Sequence, residues 1–369
     1  MKKSAKPPAA PGILVTAPNL GTQGGVAGFY NAVLPHFPEG QIHLLQVGGF
    51  GKGAGFVNPL LDQWRFRAAI AGRNHRLVHL NPSLCLKCLV RDGFFAWQTK
   101  LAKLPLVVFW HGWDRDFERQ LENRYLGYFR KTFGQADFFI VLARAFEGKL
   151  REWGIQAPIF CGSTAVDESL LEGIEVARKW DVFNAESRVK ILFLARLERA
   201  KGVFETVRAV KILLDKGLQV QLTIAGDGPV RRELEEFTRS MNLDDRQVSF
   251  TGDVRGDDKI RILQENHIYC FPTSYGEGLP TSVLEAMAFA MPVVTRPVGG
   301  LADMFEDGKM GLLVRSDHSE EVAACLQRLA GNPRMMAEIG RYNGEHARKH
   351  FMASAVKDRL ENIYGEVVR

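Results

Sequence analysis

Short apolar runs of strand length recur along the chain, and most are followed by apolar residues at helical spacing. In the first half the runs are Gly12–Ala17, Ile42–Val47, Leu77–Leu80, Leu106–Trp110 and Phe138–Leu142. In the second half they are Val189–Ala195, Val220–Ala225, Val248–Thr251, Ile268–Phe271 and Pro292–Thr295. Helical patterns cover Val26–His36 and, later, Val203–Asp215, Val230–Met241, Asp257–Gln264, Thr281–Ala290 and Glu320–Leu329. Alternation of apolar strands with amphipathic helices predicts parallel sheets covered on both faces. Two such series predict two doubly wound α/β domains, which suits 369 residues at roughly 150 per domain. The rhythm breaks at Phe160–Asp167, where the small residues Cys161-Gly-Ser-Thr-Ala165 intervene. The expected organisation is a disordered lead-in over 1–11, one domain over 12–166 and a second over 167–344. A long charged helix follows, read over Asn343–Tyr364, and the segment 345–369 is a candidate to pack back onto the first domain.

Composition narrows the class. The chain is 46% apolar and 24% charged, ordinary for a globular protein, and holds no run of 18 apolar residues that would span a bilayer. The basic start Met1-Lys-Lys lacks the apolar stretch of a signal peptide, so a cytoplasmic location is expected. Five cysteines do not make a disulfide framework. Cys85 and Cys88 form a CxxC, but no second ligand pair completes a zinc site. A redox CxxC opens a helix directly after a strand, whereas Asn81-Pro-Ser-Leu precedes this one, so the pair reads as packing cysteines.

Charge is uneven. Residues 1–160 carry 20 Lys and Arg against 10 Asp and Glu, while residues 161–369 carry 28 against 32. The basic half is expected to face something anionic. Within it, Gln63-Trp-Arg-Phe-Arg67 and Arg91-Asp-Gly-Phe-Phe-Ala-Trp97 interleave rings and cations, a mixture suited to an anionic membrane surface. The plainer reading is amphipathic helices with solvated charges and core-facing rings. No nucleic-acid module is visible, so no nucleic-acid partner is expected.

The loops after the strands carry the chemistry. In Ser274–Ala288, Pro280 is placed at the start of a helix whose first amides suit an anion or hydroxyl oxygens. Glu277 in the loop and Glu285 eight residues later put two carboxylates near one cleft, natural partners for sugar hydroxyls. Against this, Ser282-Val-Leu-Glu285 also fits a capping box. Arg196 leaves the carboxyl end of one strand, and Lys201 precedes the next helix. Together they suit a diphosphate, or else are plain surface cations. Ala225-Gly-Asp-Gly-Pro229 reads as a structural turn. In the first half, Gly21, Gly24, Gly25 and Gly28 lie between the first strand and helix, at a spacing that fits neither a dinucleotide fingerprint nor a P-loop. His111, in Phe109-Trp-His-Gly112, follows a strand and is either structural or functional.

Together these segments resemble the retaining glycosyltransferases of family 4, with the GT-B fold. The resemblance rests on Glu277-x7-Glu285 with Glu-Gly-Leu-Pro and Glu-Ala-Met-Ala, on Arg196-Leu-x-x-x-Lys201-Gly202 and on Ala225-Gly-Asp-Gly-Pro229. Pro292-Val-Val-Thr295 with Val298-Gly-Gly300, Gly25 and His111-Gly112 add to it. It is dense over 189–314 and thinner through the first half. It implies two Rossmann-like domains facing each other across a cleft, and transfer of a sugar from a nucleotide-diphosphate sugar, UDP favoured over GDP. Arg196 and Lys201 would neutralise the diphosphate and steady the leaving group. Glu285 would hold the ribose. Glu277, Gly278, Leu279 and Thr281 would hold donor sugar and phosphate, and Val254 would meet the base. Gly25 would approach the diphosphate, and His111 would touch the donor sugar near the reacting centre. No metal is implied. Same-face attack, with the departing phosphate taking the acceptor's proton, is the expected route to retention. The acceptor would be lipid-linked or a polysaccharide, in glycan or cell-envelope synthesis. Ala195 and Ala290 stand where the family commonly has Gly, and Asp303 where Glu is frequent. The alternatives are a nucleotide-sugar epimerase, a non-catalytic nucleotide-sugar binder and, last, a nicotinamide oxidoreductase.

Overall fold

A computed structural model describes residues 12–22, 24–48, 57–72, 75–176, 178–183, 188–276 and 278–368. The lead-in over 1–11 lies outside them, as does Glu277. The strands are β1 (Gly12–Ala17), β2 (Ile42–Gln46), β3 (His75–Leu80), β4 (Ser83–Leu84), β5 (Leu106–Phe109), β6 (Gly112–Trp113), β7 (Phe138–Val141) and β8 (Ile159–Cys161). They continue as β9 (Val189–Leu194), β10 (Val220–Ala225), β11 (Val248–Gly252), β12 (Ile268–Phe271), β13 (Val293–Thr295) and β14 (Gly311–Leu313).

The chain divides into two compact units. Unit 1 comprises residues up to Thr164 together with Ala353–Arg369, and unit 2 is Ala165–Met352. Each is built on a six-stranded parallel sheet. The order is β2-β1-β3-β5-β7-β8 in unit 1 and β11-β10-β9-β12-β13-β14 in unit 2. The central strands β5, β7 and β12 are buried at every position, as parallel strands covered on both faces must be. Both orders are those of doubly wound sheets, which change winding direction between β1 and β3 in unit 1 and between β9 and β12 in unit 2. Adjacent loops diverge at that point and leave a crevice beyond the carboxyl ends of the strands.

Three differences from the sequence reading have local causes. The edge strands β8 and β14 are three residues each, too short to show a period. The two-residue pair β4 and β6, matched Ser83 to Gly112 and Leu84 to Trp113, is shorter still. The charged C-terminal segment is two helices, Pro333–His350 in unit 2 and Ala353–Val368 in unit 1, with Phe351 and Met352 between them. The second helix is joined to unit 1 by Tyr364, whose hydroxyl lies 2.7 Å from Nδ1 of His79 on β3.

Candidate active site

In unit 2 the loops after β9 and β12 flank the winding change, and they are bound to each other. The amides of Ser274 and Tyr275 donate to the Ala200 carbonyl at 2.8 and 3.1 Å. Gly202 ends the first loop with φ 82°, and a Cβ there would run into the carbonyl of Pro272. Only glycine allows this approach. The turn after β10 closes from the other side: Leu197 donates to the Asp227 carbonyl at 2.9 Å, and a Cβ on Gly226 would strike the Ala195 carbonyl. These contacts fix the direction in which Arg196 and Lys201 leave the sheet.

Arg196 is exposed and leans on Glu198, Nε to Oε1 3.2 Å. An exposed pair of this kind contributes under about 1 kcal/mol and yields readily to a stronger anion. Lys201 is half-buried, its ammonium 4.2 Å from the centre of the Tyr275 ring. The helix Thr281–Ala288 begins beside them, with Pro280 as N-cap and no side chain capping its first amides. The capping-box reading therefore fails. Ser282 Oγ instead lies 2.7 Å from the Tyr269 hydroxyl, which donates to the Leu194 carbonyl at 2.8 Å and so ties this helix to β9. Gly278 and Leu279 are buried, and the Gly278 carbonyl accepts from Gly300 at 2.6 Å. The helix start thus leaves the Thr281 and Ser282 amides, its positive end, without a side-chain cap, on a helix tied to the end of the strand that Arg196 follows.

Glu285, one turn after Thr281, is 6% exposed. Its Oε1 accepts from Lys259 Nζ at 2.6 Å, and Lys259 stands on the helix Gly256–Glu265 that follows Val254. The pair neutralises a buried carboxylate and leaves its second oxygen for a hydroxyl partner. Val254 is partly exposed, in the loop after β11.

Unit 1 has its own winding change, beyond β1 and β3. Gly25 opens the helix Gly25–Val33, and a Cβ at Gly24, Gly25 or Gly28 would meet nothing within 4 Å. Steric packing among the described residues makes no demand for Gly25 or Gly28, whereas Gly24, at φ 156°, holds a backbone angle that side chains rarely adopt. His111 follows β5 between the buried Trp110 and Trp113. Its Nε2 lies 3.0 Å from Asn81 Oδ1, which also accepts from the Tyr30 hydroxyl at 2.9 Å, while Asn81 Nδ2 donates to the Thr16 carbonyl at 2.9 Å. With Asn81 oriented in this way, His111 donates through Nε2 and Nδ1 remains an acceptor. Burial, reinforced by the neighbouring His79, pushes His111 down to about 3, so the ring is neutral at physiological pH.

Residues 188–332 match the family model of glycosyl transferases group 1, and residues 20–159 match that of the glycosyl transferase 4-like domain. The chain belongs to the group 1 glycosyltransferases. Among curated relatives of this chain, the alpha-D-kanosaminyltransferase of Streptomyces kanamyceticus is 29% identical over 50% of this chain and 47% of its own length. The amylovoran biosynthesis glycosyltransferase AmsK of Erwinia amylovora is 28% identical over 69% of this chain and 60% of its own. The matched segment thus spans about half the length of the first of these relatives. The crystal structure of Anabaena HepE in complex with UDP-glucose superposes with a TM-score of 0.73 at 17% identity, over 96% of this chain and 99% of that one. At that identity the likeness shows the fold, the GT-B arrangement of two Rossmann-like sheets.

Within unit 2, Arg196, Lys201, Thr281 and Glu285 stand on the elements around the winding change. Gly25 and His111 take equivalent positions in unit 1. Sequence reasoning singles out neither Lys259 nor Asn81, although each sets the state of a residue that it does name. Lys259 offers no local signal because its partner is 26 residues away on another helix.

Proposed function

We propose that the protein transfers a sugar, with retention, from a nucleotide-diphosphate sugar to a glycan or lipid-linked acceptor in polysaccharide or cell-envelope synthesis. The observation that carries this reading is the arrangement at the unit 2 winding change. Two cations and a helix N-terminus stand on the loops after the two strands that flank it, with a buried, lysine-paired carboxylate one turn further along that helix. That set matches the parts of a nucleotide-sugar: diphosphate to Arg196, Lys201 and the amides of Thr281 and Ser282, ribose to Glu285, base to Val254. UDP is the favoured nucleotide, since HepE is described with UDP and UDP-glucose and shares the fold. Gly278 and Leu279 would place the loop that carries Glu277 beside the donor sugar, and Gly25 and His111 would serve the same donor from unit 1. Neutral His111, accepting through Nδ1, would take a hydrogen bond from a sugar hydroxyl.

On this reading the leaving diphosphate is stabilised by fixed positive groups of the chain, and no metal or other cofactor is needed. Same-face attack then requires no protein nucleophile: the acceptor hydroxyl bonds to the anomeric carbon as the phosphate leaves and takes its proton. Glu277→Gln is expected to weaken turnover without any trappable glycosyl adduct. The epimerase alternative has no supporting observation here.

Unit 1 also carries an unusual surface. Leu86, Val90, Phe94, Trp97 and Leu101 are 44–63% exposed along the helix Leu86–Leu101, at i, i+4, i+8, i+11 and i+15. Leu60 and Trp64 are 74% and 68% exposed on the helix Val57–Ala71. The rings of Trp64, Phe94 and Trp97 thus face solvent, while Phe66 and Phe95 fill the core. We propose that this apolar face, on the basic half of the chain, rests on an anionic membrane where a lipid-linked acceptor resides. Arg91 takes no part in it, being held in a two-pronged pair with buried Asp92 at 2.7 and 2.9 Å. Among the described residues no helix is long and apolar enough to cross a membrane.

The test of the transferase reading is thermal shift with UDP, GDP, ADP and their sugar conjugates, in EDTA. One uridine ligand at 100 times its Kd should add about 2.7 kcal/mol of stability, and Arg196→Ala with Lys201→Ala should abolish the shift. A shift that survives loss of both cations would refute the assignment.

A further inference from the structure

Cys85 and Cys88 occupy a setting that the sequence conceals. The residues before them, Ser83 and Leu84, form strand β4, paired with β6. Cys85 follows at once, with extended backbone (φ −149°, ψ 160°), as the N-cap of the 16-residue helix Leu86–Leu101. Its amide donates to the Ser83 carbonyl at 2.9 Å, and its carbonyl accepts the first helical bond from Leu89 at 2.8 Å. Cys88 lies one turn on, so both sulfurs sit at the positive end of a long helix. Both are free thiols and both are partly exposed. The strand that was missing from the sequence reading is present, so the context that a redox pair calls for, a helix opened directly after a strand, is met.

The surroundings favour a thiolate on the first cysteine alone. The Cys88 thiol donates to Cys85 and, with the amides of Cys88 and Lys87, outweighs partial burial and the nearby Asp92 carboxylate, so that Cys85 is pushed down to about 6. Cys88, giving that hydrogen bond and more deeply buried, is pushed up, with Arg91 Nη2 at 4.0 Å from its sulfur only partly offsetting Asp92. One sulfur is thus ready to attack and the second is positioned to resolve. The remaining cysteines lack this arrangement: Cys270 is buried and pushed up to about 12, and Cys325 is pushed up to about 11.

We propose that Cys85 and Cys88 form a redox-active dithiol at the start of the Leu86–Leu101 helix, which exchanges with small-molecule disulfides to give a Cys85–Cys88 disulfide. The Cys85 thiolate attacks one sulfur of the disulfide R–S–S–R, whose S–S bond breaks, and the released thiolate takes a proton from water. Cys88 then loses its proton to solvent and attacks Cys85 in the mixed disulfide, expelling the second thiolate, which is protonated in turn. Two protein thiols are oxidised and one small disulfide is reduced to two thiols. This chemistry does not depend on the transferase reading. It takes place beside β4, whose partner β6 begins at Gly112, immediately after His111.

The test uses the full chain, reduced and then incubated with glutathione disulfide, with every cysteine followed by alkylation and peptide mass. The expected result is loss of two alkylatable thiols at Cys85 and Cys88, linked in one peptide and restored by reduced glutathione. Cys88→Ser should accumulate one glutathionyl group on Cys85, at least about tenfold faster than Cys161 or Cys325 reacts. Cys85→Ser should leave Cys88 as slow as those two. The wild-type result needs no variant, so a variant that fails to fold does not decide the matter. Equal modification of Cys85, Cys161 and Cys325 with no linked peptide would overturn the proposal, as would a Cys88→Ser protein that forms its adduct on Cys161 or Cys325 and not on Cys85.

Discussion

Ala290 follows the helix Thr281–Ala288 with φ 57°, a left-handed conformation that costs an alanine about 1–2 kcal/mol relative to a residue without a Cβ. Its carbonyl is held in place by the indole of Trp180 at 2.8 Å, so the backbone has no freedom to relax. Ala290→Gly is expected to stabilise the protein by about 0.5–1 kcal/mol, less than the full strain because glycine loses more entropy on folding. Urea unfolding should show a higher midpoint at unchanged slope. The resemblance to known glycosyltransferases marks this position as one where glycine is usual, but only the backbone angle gives the reason. The same divide separates Glu285, legible in the Glu277-x7-Glu285 spacing, from Lys259, whose role exists only once two helices are packed. It also separates His111 from Asn81: a strand end can be read from the sequence, whereas the donor and acceptor roles around an imidazole cannot.

The helices Val57–Ala71 and Leu86–Leu101 lie together, joined where Gln63 donates to the Arg91 carbonyl at 3.0 Å and accepts from Gln98 at 2.7 Å. Their aromatic and apolar residues were legible in the sequence, but which rings turn inward was not, because each helix carries rings on more than one face. If the exposed rings contact lipid, Trp64→Glu with Trp97→Glu should reduce co-sedimentation with phosphatidylglycerol vesicles by roughly tenfold or more and leave the UDP-induced thermal shift intact. Equal sedimentation of variant and wild type would refute the membrane reading. The helices of unit 2 given bounds, such as Val203–Asp215, were legible to within a residue or two. The helices Val57–Ala71 and Leu86–Leu101 received no bounds, and one helix was read over Asn343–Tyr364 where two stand. The strands β4, β6, β8 and β14 were missed because pairing with neighbours sets them and not their own two or three residues.

Among the described residues, burial holds His79 and His111 at about 3 and His267 at about 4, and it also lowers His75 and His346. In the unfolded chain each takes up a proton near pH 6.5, so acid favours unfolding. Their contribution is complete above about pH 6.5 and declines as pH falls towards 3 to 4. Fully buried His79 alone should cost about 2 kcal/mol at pH 5 relative to neutral pH. Urea unfolding at pH 7.5 and pH 5 should show that decline, and His79→Gln should reduce it.

His79 meets Tyr364, and Tyr364 belongs to a helix that the chain reaches only after unit 2 is complete. Unit 2 is one continuous stretch whose two ends lie side by side, the Val166 amide donating to the Phe351 carbonyl at 2.8 Å. During synthesis, therefore, the second-encoded unit has all of its sequence before the first. The residues of β1, β3 and the Tyr30–Asn81–His111 network are all synthesised before unit 2, whereas the helix that brings His79 its partner follows only after the 188 residues of that unit.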